Sequence, residues 1–462
     1  MMKLENTPNQ EITKIVEAQR AYFRSGETLS LKHRQKALCT LSKALKLWES
    51  RIAEALWKDL HKSYEEAYMT ELSIVLGEID NHLRHLKRWM LPKPVGTPIK
   101  MMPSRSKVIA EPLGCSLIMA PWNYPVQLLL NPLVGAISSG CTAILKPSPY
   151  VPHVSKVLEQ MIKESFRPEY IAIVQGNREV NTALLEQRFD IIFFTGSPDL
   201  GRKVMRAASE HLTPVVLELG GKSPCVVDKD ANIAMAARRI AWGKSLNAGQ
   251  TCIAPDYLLV HADVKEQLVS ALKKEFTRLH GTNPKEAKHF VRIVNERAFD
   301  RLVGYIQGAD VVMGGEYDRE ERYIDPTLID HVDANSPIMQ EEIFGPIFPI
   351  VTFSTTEEAI LFVTDREKPL ALYYFGESKK NIRNVLKHTS SGGACINDTI
   401  MHIANENLPF GGVGQSGMSA YHGKESFKVF SHHRAVVTTT THLDLPFRYM
   451  PYKFFKFVKK LL

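Results

Sequence analysis

The sequence has few cysteines and no long apolar run, and both absences narrow the possible functions. Six cysteines are spread over 462 residues and none forms a C-x-x-C pair, which excludes a disulfide scaffold and indicates no zinc knuckle. No stretch of about 20 apolar residues occurs, so we expect no membrane-spanning helix. The first residues, MMKLENTPNQEITK, lack the apolar run of a signal peptide. We therefore expect a cytoplasmic protein.

The chain also lacks blocks of like charge along most of its length. Lys and Arg number 58 against 50 Asp and Glu, which gives a net charge of +8, but the two signs are interspersed. A basic balance can indicate nucleic acid, a membrane surface or acidic ligands, and mixed signs favour none of these. We expect no nucleic-acid partner.

The pattern of apolar residues predicts an α/β protein. Apolar positions from Leu38 to Leu56 recur at steps of three and four, which predicts a helix over 34–57. From residue 107 onward apolar runs predict strands (107–120, 141–146, 170–175, 190–195, 214–219), with helical patterns between several of them. Such alternation is typical of parallel sheets. A second set follows Gly220 and Gly221, with helices predicted over 232–246 and 265–279 and a strand over 257–261, so we place a domain boundary near 219–222.

Four segments carry residues able to do chemistry, although each has an ordinary structural alternative. Cys252 in NAGQTC suits a reactive thiol or a buried structural cysteine. Glu218 ends an apolar strand before two glycines, as a desolvated general base or a salt-bridged glutamate would. Asn123 in PWNYP could donate to an oxyanion or simply make a turn. The strand–glycine–helix turn around Gly196 could bind phosphate or be a plain βα connection.

These segments together resemble the aldehyde dehydrogenase superfamily, most closely its class 3 branch of fatty and aromatic aldehyde dehydrogenases. The matching motifs run in order over nearly the whole chain: PWNYP, LKPS, FFTGS, LELGGKSP, GQTC, EEIFGP, LPFGGVGQSGM and YHGKESF. The pair LELGGKSP and GQTC is highly specific. The chain starts without the longer N-terminal extension of the tetrameric branches, so the resemblance implies a homodimer.

The resemblance implies a fold and a set of catalytic roles. The fold would be a Rossmann-like parallel-sheet NAD(P)-binding domain (1–90 and 107–219), an α/β catalytic domain (220–420) and a small β oligomerisation arm (91–106 and 428–442). Cys252 would attack the aldehyde, Asn123 and the Cys252 backbone N–H would hold the oxyanion, and Glu218 would activate water to hydrolyse the thioester. No metal ligand set is expected.

The resemblance also implies cofactor and substrate residues. Lys146 would bind the adenosine ribose, Gly196, Ser197 and Gly201 would lie by the pyrophosphate, Glu342 would hold the nicotinamide ribose, and Phe344 would pack near the nicotinamide. Glu342 is preferred to Glu341 because the family glutamate stands two residues before the phenylalanine. Tyr124, Trp242 and Ile400 would line a tunnel for a hydrophobic aldehyde.

One departure from the family pattern bears on the choice of cofactor. Where the family often has KPSE, this chain has KPSP, with Pro149 in place of a glutamate that would repel a 2′-phosphate. We therefore expect NADP to be used alongside NAD.

The C-terminal segment 443–462 is predicted to be a basic amphipathic tail. In PYKFFKFVKKLL the residues Lys453, Lys456 and Lys460 share one helical face, and Phe454, Val458 and Leu461 share another. Such a tail could lie on an anionic membrane surface, cover the substrate entrance or pack on a partner subunit.

Three alternatives to a soluble hydrolytic enzyme stay open at this point. A CoA-acylating aldehyde dehydrogenase would typically lack Glu218, which is present. A structural protein on the same fold would be expected to lose Cys252, Glu218 or Asn123, and all three are present. A peripheral membrane enzyme for lipid-derived aldehydes would depend on the tail.

Overall fold

Two large sheets organise the chain in the computed structural model, which describes residues 4–456 and residue 459. The strands are β1 (Lys93–Val95), β2 (Arg105–Pro112), β3 (Cys115–Met119), β4 (Thr142–Lys146), β5 (Ile171–Ile173), β6 (Ile191–Thr195), β7 (Val215–Glu218), β8 (Pro224–Val227), β9 (Tyr257–His261), β10 (Asp310–Met313), β11 (Tyr317–Asp318), β12 (Tyr323–Ile324), β13 (Thr327–Asp330), β14 (Ile347–Phe353), β15 (Ala371–Phe375), β16 (Gly393–Ile396), β17 (Gly417–Met418) and β18 (Ser431–Thr438). The α-helices are α1 (Asn9–Arg24), α2 (Leu31–Leu60), α3 (Tyr64–Ala67), α4 (Ser73–Met90), α5 (Gln127–Ser139), α6 (Pro152–Ser165), α7 (Arg178–Leu185), α8 (Pro198–Ser209), α9 (Ile233–Ser245), α10 (Lys265–His280), α11 (Glu296–Ile306), α12 (Pro337–Gln340), α13 (Thr356–Thr364), α14 (Lys379–His388) and α15 (Lys424–Val429).

The first large sheet has the strand order β17-β7-β6-β3-β4-β5. The five strands from β7 to β5 are parallel, and β17 pairs antiparallel with β7. Strands β3, β4 and β6 are buried along their whole length, as continuous apolar runs in a covered parallel sheet should be. The strands predicted over 141–146, 170–175, 190–195 and 214–219 are confirmed.

The apolar run 107–120 forms two strands in different sheets. Strand β2 lies in a small antiparallel sheet and β3 lies in the large one. Gly114 separates them with a φ of 141°, which suits glycine alone, and a Cβ there would clash with the Asp190 side chain. The amide of Leu113 donates to Phe430 O instead of continuing a ladder. The sequence pattern missed this break because apolar residues flank it on both sides.

The second large sheet has the order β10-β13-β14-β9-β8-β15-β16. All neighbours in it are parallel except β10 and β13. The helices predicted over 232–246 and 265–279 are confirmed as α9 and α10, and they pack on each other beside this sheet. The α/β class expected from the alternating pattern is therefore confirmed.

A small antiparallel sheet of β1, β2 and β18 stands apart from both. Strand β18 pairs with β2 through eight residue pairs, from Ser431 opposite Pro112 to Thr438 opposite Arg105. The sheet and its connecting segment leave several apolar side chains in solvent, among them Ile99, which is 89% exposed, and Met102. The assignment of this region as an oligomerisation arm, like the other domain limits, stays a prediction.

The long helix α2 packs on α4, α5 and α6, and α5 and α6 in turn contact strands of the first sheet. Its N-terminus is capped by the Ser30 side chain, which accepts a hydrogen bond from His33 N at 3.1 Å. A buried apolar stripe that includes Leu38, Leu45 and Trp48 packs into the main core. The helix ends at His61 in a left-handed conformation, which turns the chain back toward the interior.

The predicted C-terminal tail is described only in part. Val458, Lys460 and Leu461 lie outside the described residues, so the two predicted faces of the tail stay a prediction. Within the residues that are described, no helix is long and apolar enough to span a membrane.

Candidate active site

A large cavity lies where the first sheet faces the nucleophile loop, the segment 246–252 that follows α9. Its volume is about 1100 Å³. It is lined by seven of the twelve residues assigned roles from the sequence: Asn123, Gly196, Ser197, Glu218, Cys252, Glu342 and Phe344. Residues distant in sequence thus meet at the carboxyl ends of β6 and β7, where open parallel sheets bind ligands.

Cys252 lies in the cavity wall on a strained loop. Asn247 and Ala248 both adopt a φ of 51°, a left-handed conformation that costs energy for residues other than glycine. Burial raises the pKa of the Cys252 thiol well above its usual range, and the Glu342 and Glu218 carboxyl groups add to the effect. Burial and the two carboxyl groups thus favour the neutral thiol over the thiolate. Of the six free cysteines, Cys252 alone lines this cavity.

Glu218 is a desolvated carboxyl group at the end of β7. Its side chain is 2% exposed, and neither carboxyl oxygen has a hydrogen-bond partner among the described residues. Burial raises the pKa of this carboxyl group well above its usual range. Its backbone is fixed on both sides, because Gly196 N donates to Glu218 O at 3.0 Å and β17 pairs with β7. A fixed carboxyl group without a partner suits proton transfer from a small molecule in the cavity, once the carboxyl group is ionised.

Asn123 is held in a buried turn between β3 and α5. Its side-chain Nδ2 donates to Gln250 O at 3.1 Å, which ties the turn to the nucleophile loop. A carboxamide nitrogen has two N–H groups, so one remains for an oxygen in the cavity. The geometry fits an oxyanion donor that is already oriented before substrate arrives.

The N-terminus of α8 opens on the same cavity and fits an anion. Ser197 is the N-cap residue, its side chain makes no capping hydrogen bond, and Pro198 and Asp199 follow it in the cavity lining. Unpaired backbone N–H groups at such an end attract phosphate. Gly201 does not line the cavity, but it lets α8 approach the sheet, since a Cβ there would lie 2.9 Å from Leu219 Cδ2.

Glu342 and Phe344 form another wall of the cavity. Glu342 packs so closely on the glycine pair after β7 that a Cβ on Gly220 would lie 2.6 Å from its Cδ, and Gly221 N donates to it. Burial raises the pKa of Glu342 to about 8. Phe344 has a φ of 52° and meets the Trp122 ring edge to face at 5.3 Å. An elongated ligand with an anionic centre and hydroxyl groups would fit between these walls.

Two more of the predicted residues, Lys146 and Tyr124, do not line the cavity. Lys146 is buried at the end of β4, its Nζ donates to Pro147 O, and burial lowers its pKa to about 7. Tyr124 donates or accepts a hydrogen bond with Thr251 Oγ1 at 2.7 Å beside Cys252.

Two residues predicted to line the substrate tunnel lie at α9. Trp242 is part of this helix, and Ile400 packs against it. Ile400 is buried in a left-handed conformation against α9, close to Gly243. Trp242 lines a second cavity of about 450 Å³, which is lined by Met235, Arg238, Arg239, Trp242, Arg278 and Leu279. The tunnel role of these residues stays a prediction.

The structure brings further residues to the site that the sequence reasoning gave no role. Trp122 lines the cavity next to Asn123, and a tryptophan inside the PWNYP motif was a visible signal. Tyr421 is fully buried with an unpartnered hydroxyl group, and its pKa is raised by burial and by the nearby Glu218 and Cys252. Tyr421 opens the YHGKESF motif, which indicates the segment but not the tyrosine within it. Within the described part of the chain, no cluster of three His, Cys, Asp or Glu residues could hold a metal ion.

Comparison with known proteins gives one consistent family. The model of the aldehyde dehydrogenase family matches residues 1–436. The chain is 47% identical to the 4,4'-diaponeurosporen-aldehyde dehydrogenase of Staphylococcus aureus, over 95% of this chain and 96% of that protein. It is 45% identical to the dimeric NADP-preferring aldehyde dehydrogenase of Rattus norvegicus, over 92% and 94%, and 47% identical to aldehyde dehydrogenase family 3 member A2 of Mus musculus, over 90% and 86%.

Solved structures agree with the sequence relatives. A substrate-bound Staphylococcus aureus AldH superposes with a TM-score of 0.96 at 46% identity, over 97% of this chain and 99% of that one. A betaine aldehyde dehydrogenase of Staphylococcus aureus in complex with NAD⁺ superposes with a TM-score of 0.86 at 25% identity, over 96% and 90%. The fold and the resemblance inferred from the motifs are both confirmed.

Proposed function

Because the chain belongs to the aldehyde dehydrogenase family, we propose that it oxidises a hydrophobic aldehyde, aliphatic or aromatic, to the carboxylic acid with NAD⁺ or NADP⁺ and water. The observation that carries this proposal is the meeting of Cys252, Asn123 and the unpartnered Glu218 in one cavity wall. Each supplies a different part of acyl chemistry: a nucleophile, an oxyanion donor and a base.

The first half of the reaction forms a covalent intermediate on Cys252. The thiolate attacks the carbonyl carbon, and the oxygen of the thiohemiacetal accepts hydrogen bonds from the Asn123 side chain and the Cys252 backbone N–H. When bound, the nicotinamide supplies the hydride acceptor. Loss of hydride leaves a thioester on Cys252. Because burial favours the neutral thiol, Cys252 must lose its proton before attack. The ionised form of Glu218 can accept this proton and releases it to solvent before the second half of the reaction.

The second half releases the acid. Glu218 removes a proton from a water molecule, and the resulting hydroxide attacks the thioester carbonyl. The carbon–sulfur bond breaks, the acid leaves, and the Cys252 thiol is restored. A carboxyl group with a raised pKa is a stronger base once ionised than an exposed glutamate, so desolvation at the end of β7 serves this step.

The cofactor site combines the N-terminus of α8 with the cavity wall formed by Glu342 and Phe344. Gly196 and Ser197 would hold the pyrophosphate, Glu342 the nicotinamide ribose, Phe344 the nicotinamide ring and Lys146 the adenosine ribose. The uncapped helix end and the close Glu342–Gly220 packing fit such a ligand. Pro149 removes the carboxylate that would repel a 2′-phosphate, and a relative at 45% identity is named NADP-preferring. We propose that both cofactors serve.

Two further properties belong to the proposal. The exposed apolar side chains around β1, β2 and β18 support a homodimer, and one relative is named dimeric. Six free cysteines support a reducing compartment, so we propose a cytoplasmic location.

A single assay tests the proposed reaction. The purified protein is mixed with a medium-chain aldehyde or benzaldehyde, with NAD⁺ or NADP⁺, and reduced cofactor is followed by absorbance. We expect turnover with both cofactors that vanishes in Cys252→Ala, and Pro149→Glu should lower turnover with NADP⁺ more than with NAD⁺. Turnover only after addition of CoA would overturn the hydrolytic step. If the protein binds neither NAD⁺ nor NADP⁺, the proposal that it is an enzyme is overturned.

A further inference from the structure

A buried ion pair lies directly beneath the turn that carries Asn123. Lys62 Nζ and Glu71 Oε1 are 2.6 Å apart, and neither side chain is exposed to solvent. Lys62 follows the left-handed end of α2, and Glu71 lies in a π-helical segment, Tyr68–Leu72. Replacing a buried ion pair by apolar residues often costs nothing in stability, so stability alone gives little reason for this one. A π-helical turn is frequently found at functional sites.

The pair binds both ends of the Asn123 turn. Lys62 Nζ donates to Asn123 O at 3.1 Å and lies 4.2 Å from the centroid of the Tyr124 ring. The other oxygen of Glu71 accepts hydrogen bonds from Val126 N at 2.8 Å and Gln127 N at 3.3 Å. Those two amides begin α5, whose N-terminus therefore rests on the Glu71 carboxylate. The turn is fixed at its start by the cation and at its end by the anion.

A second set of bonds joins the same turn to the nucleophile loop. Asn247 Nδ2 donates to Asn123 O at 3.0 Å and to Gln250 O at 2.9 Å. Glu66, one helical turn before Glu71, accepts a hydrogen bond from Asn247 N at 2.7 Å. The Asn123 carbonyl thus receives Lys62 from one side and the nucleophile loop from the other. The distance between the Asn123 amide and Cys252 is set by groups that do not touch the cavity.

We propose that Lys62 and Glu71 are positioning residues, which hold the Asn123 amide where it meets the oxyanion formed on Cys252. The inference rests on the proposed function, since it assigns Asn123 the oxyanion. The pair acts as a unit, because the carbonyl of Asn123 and the first amides of α5 are fixed by opposite ends of one ion pair.

The test uses a variant that removes both charges of the pair together. Lys62→Met with Glu71→Gln removes both charges, and the glutamine oxygen still accepts from the start of α5, so folding is expected. The matched control is Lys265→Met with Asp330→Asn, which removes a largely buried pair of 2.7 Å between α10 and β13, away from the site. For each protein, kcat and KM for aldehyde oxidation are measured beside the rate at which iodoacetamide alkylates Cys252, followed by peptide mass spectrometry.

Alkylation forms no oxyanion, so it separates positioning of Asn123 from damage to the nucleophile. We expect kcat of the Lys62/Glu71 variant to fall about 10- to 100-fold, as for a displaced oxyanion donor, with KM and alkylation nearly unchanged. The Lys265/Asp330 control should keep the wild-type kcat. An unchanged kcat, or a parallel loss of kcat and alkylation, would overturn the inference.

Asn123→Ala distinguishes this outcome from failure of the proposed function. If Asn123→Ala loses kcat while the Lys62/Glu71 variant does not, the positioning role is wrong and the oxyanion role stands. If Asn123→Ala keeps full kcat while Cys252→Ala is inactive, the assigned oxyanion donor is wrong and the positioning role falls with it.

Discussion

At the scale of single residues, the site depends on carboxyl and thiol groups whose neutral forms are favoured by burial. Glu218 has no partner for either oxygen, and the pKa values of Glu218 and Cys252 are raised chiefly by burial. The charged forms are disfavoured together, because each carboxylate would also raise the thiol pKa. We therefore expect the rate to depend on the ionisation of these groups above the usual pH range of a glutamate.

The first prediction concerns the pH dependence of hydrolysis. A raised pKa means that Glu218 keeps its proton where an exposed glutamate has lost it, so the fraction of base increases with pH. We expect kcat to rise with pH well above the ordinary glutamate pKa of about 4.3. In Glu218→Gln kcat should be about 100-fold lower and this rise should disappear. Steady-state rates between pH 6 and about 9 check it.

The control for that profile is Glu367→Gln, which changes an exposed carboxylate at the same cavity. It should keep the wild-type profile. A rate that is flat with pH in the wild type, or still rising in Glu218→Gln, would show that another group supplies the base.

At the scale of secondary-structure elements, the cofactor half of the site depends on how closely α8 packs on the sheet. Gly201 faces Leu219, one residue beyond β7, and leaves no room for a side chain. This contact sets the height of the α8 N-terminus above Glu218. The packing of α8 on Leu219 therefore links the position of the uncapped Ser197 to that of the Glu218 carboxyl group.

The second prediction tests this packing with two glycine substitutions. Gly201→Ala should push α8 from β7, lower the free energy of unfolding by about 1–2 kcal/mol and weaken cofactor binding several-fold. Gly304→Ala in α11 is the control, because a Cβ there has no atom within 4 Å. In Gly304→Ala the free energy of unfolding should rise by up to about 1 kcal/mol, and cofactor binding should match the wild type. Thermal melts and cofactor titration measure both, and equal behaviour of the two variants would contradict the packing argument.

The sequence predicted strands well where an apolar run ends at a glycine. It failed where one apolar run contains two strands. The strands ending at Thr195 and Glu218 were recognisable because each is a short apolar run closed by glycine. The break at Gly114 was not, since a strand pattern continues on both sides. The site residues were found as motifs, but Lys62 and Glu71 carry no motif. Only the fold places α2 and the π-helical segment under the Asn123 turn.

At the scale of the whole molecule, the small antiparallel sheet is the part left without a core of its own. Strand β1 is exposed along its length, and the segment before β2 exposes large apolar side chains. An exposed apolar patch rimmed by polar residues is typical of a protein interface. A second copy of the chain is the partner that the dimer proposal requires.

The third prediction places a charge in this patch. Ile99→Asp should shift the protein from dimer to monomer, because Ile99 is 89% exposed in the single chain and a buried unpaired carboxylate is costly in an interface. Leu47→Asp on α2 is the control, since Leu47 is 79% exposed far from this sheet. Sedimentation velocity should find Leu47→Asp at the wild-type mass. A monomeric wild type, or a dimeric Ile99→Asp, would place the interface elsewhere or remove it.

The central claim is that water activated by Glu218 releases an acyl group from Cys252. The most direct measurement is the mass of the Cys252 peptide after the Glu218→Gln protein is mixed with aldehyde and oxidised cofactor and quenched in acid. The account predicts an adduct of acyl mass on Cys252 that accumulates in Glu218→Gln, clears in the wild type and is absent from Cys252→Ala. Rapid clearance of the adduct from Glu218→Gln, or no adduct on Cys252 in any variant that still reduces cofactor, would contradict it.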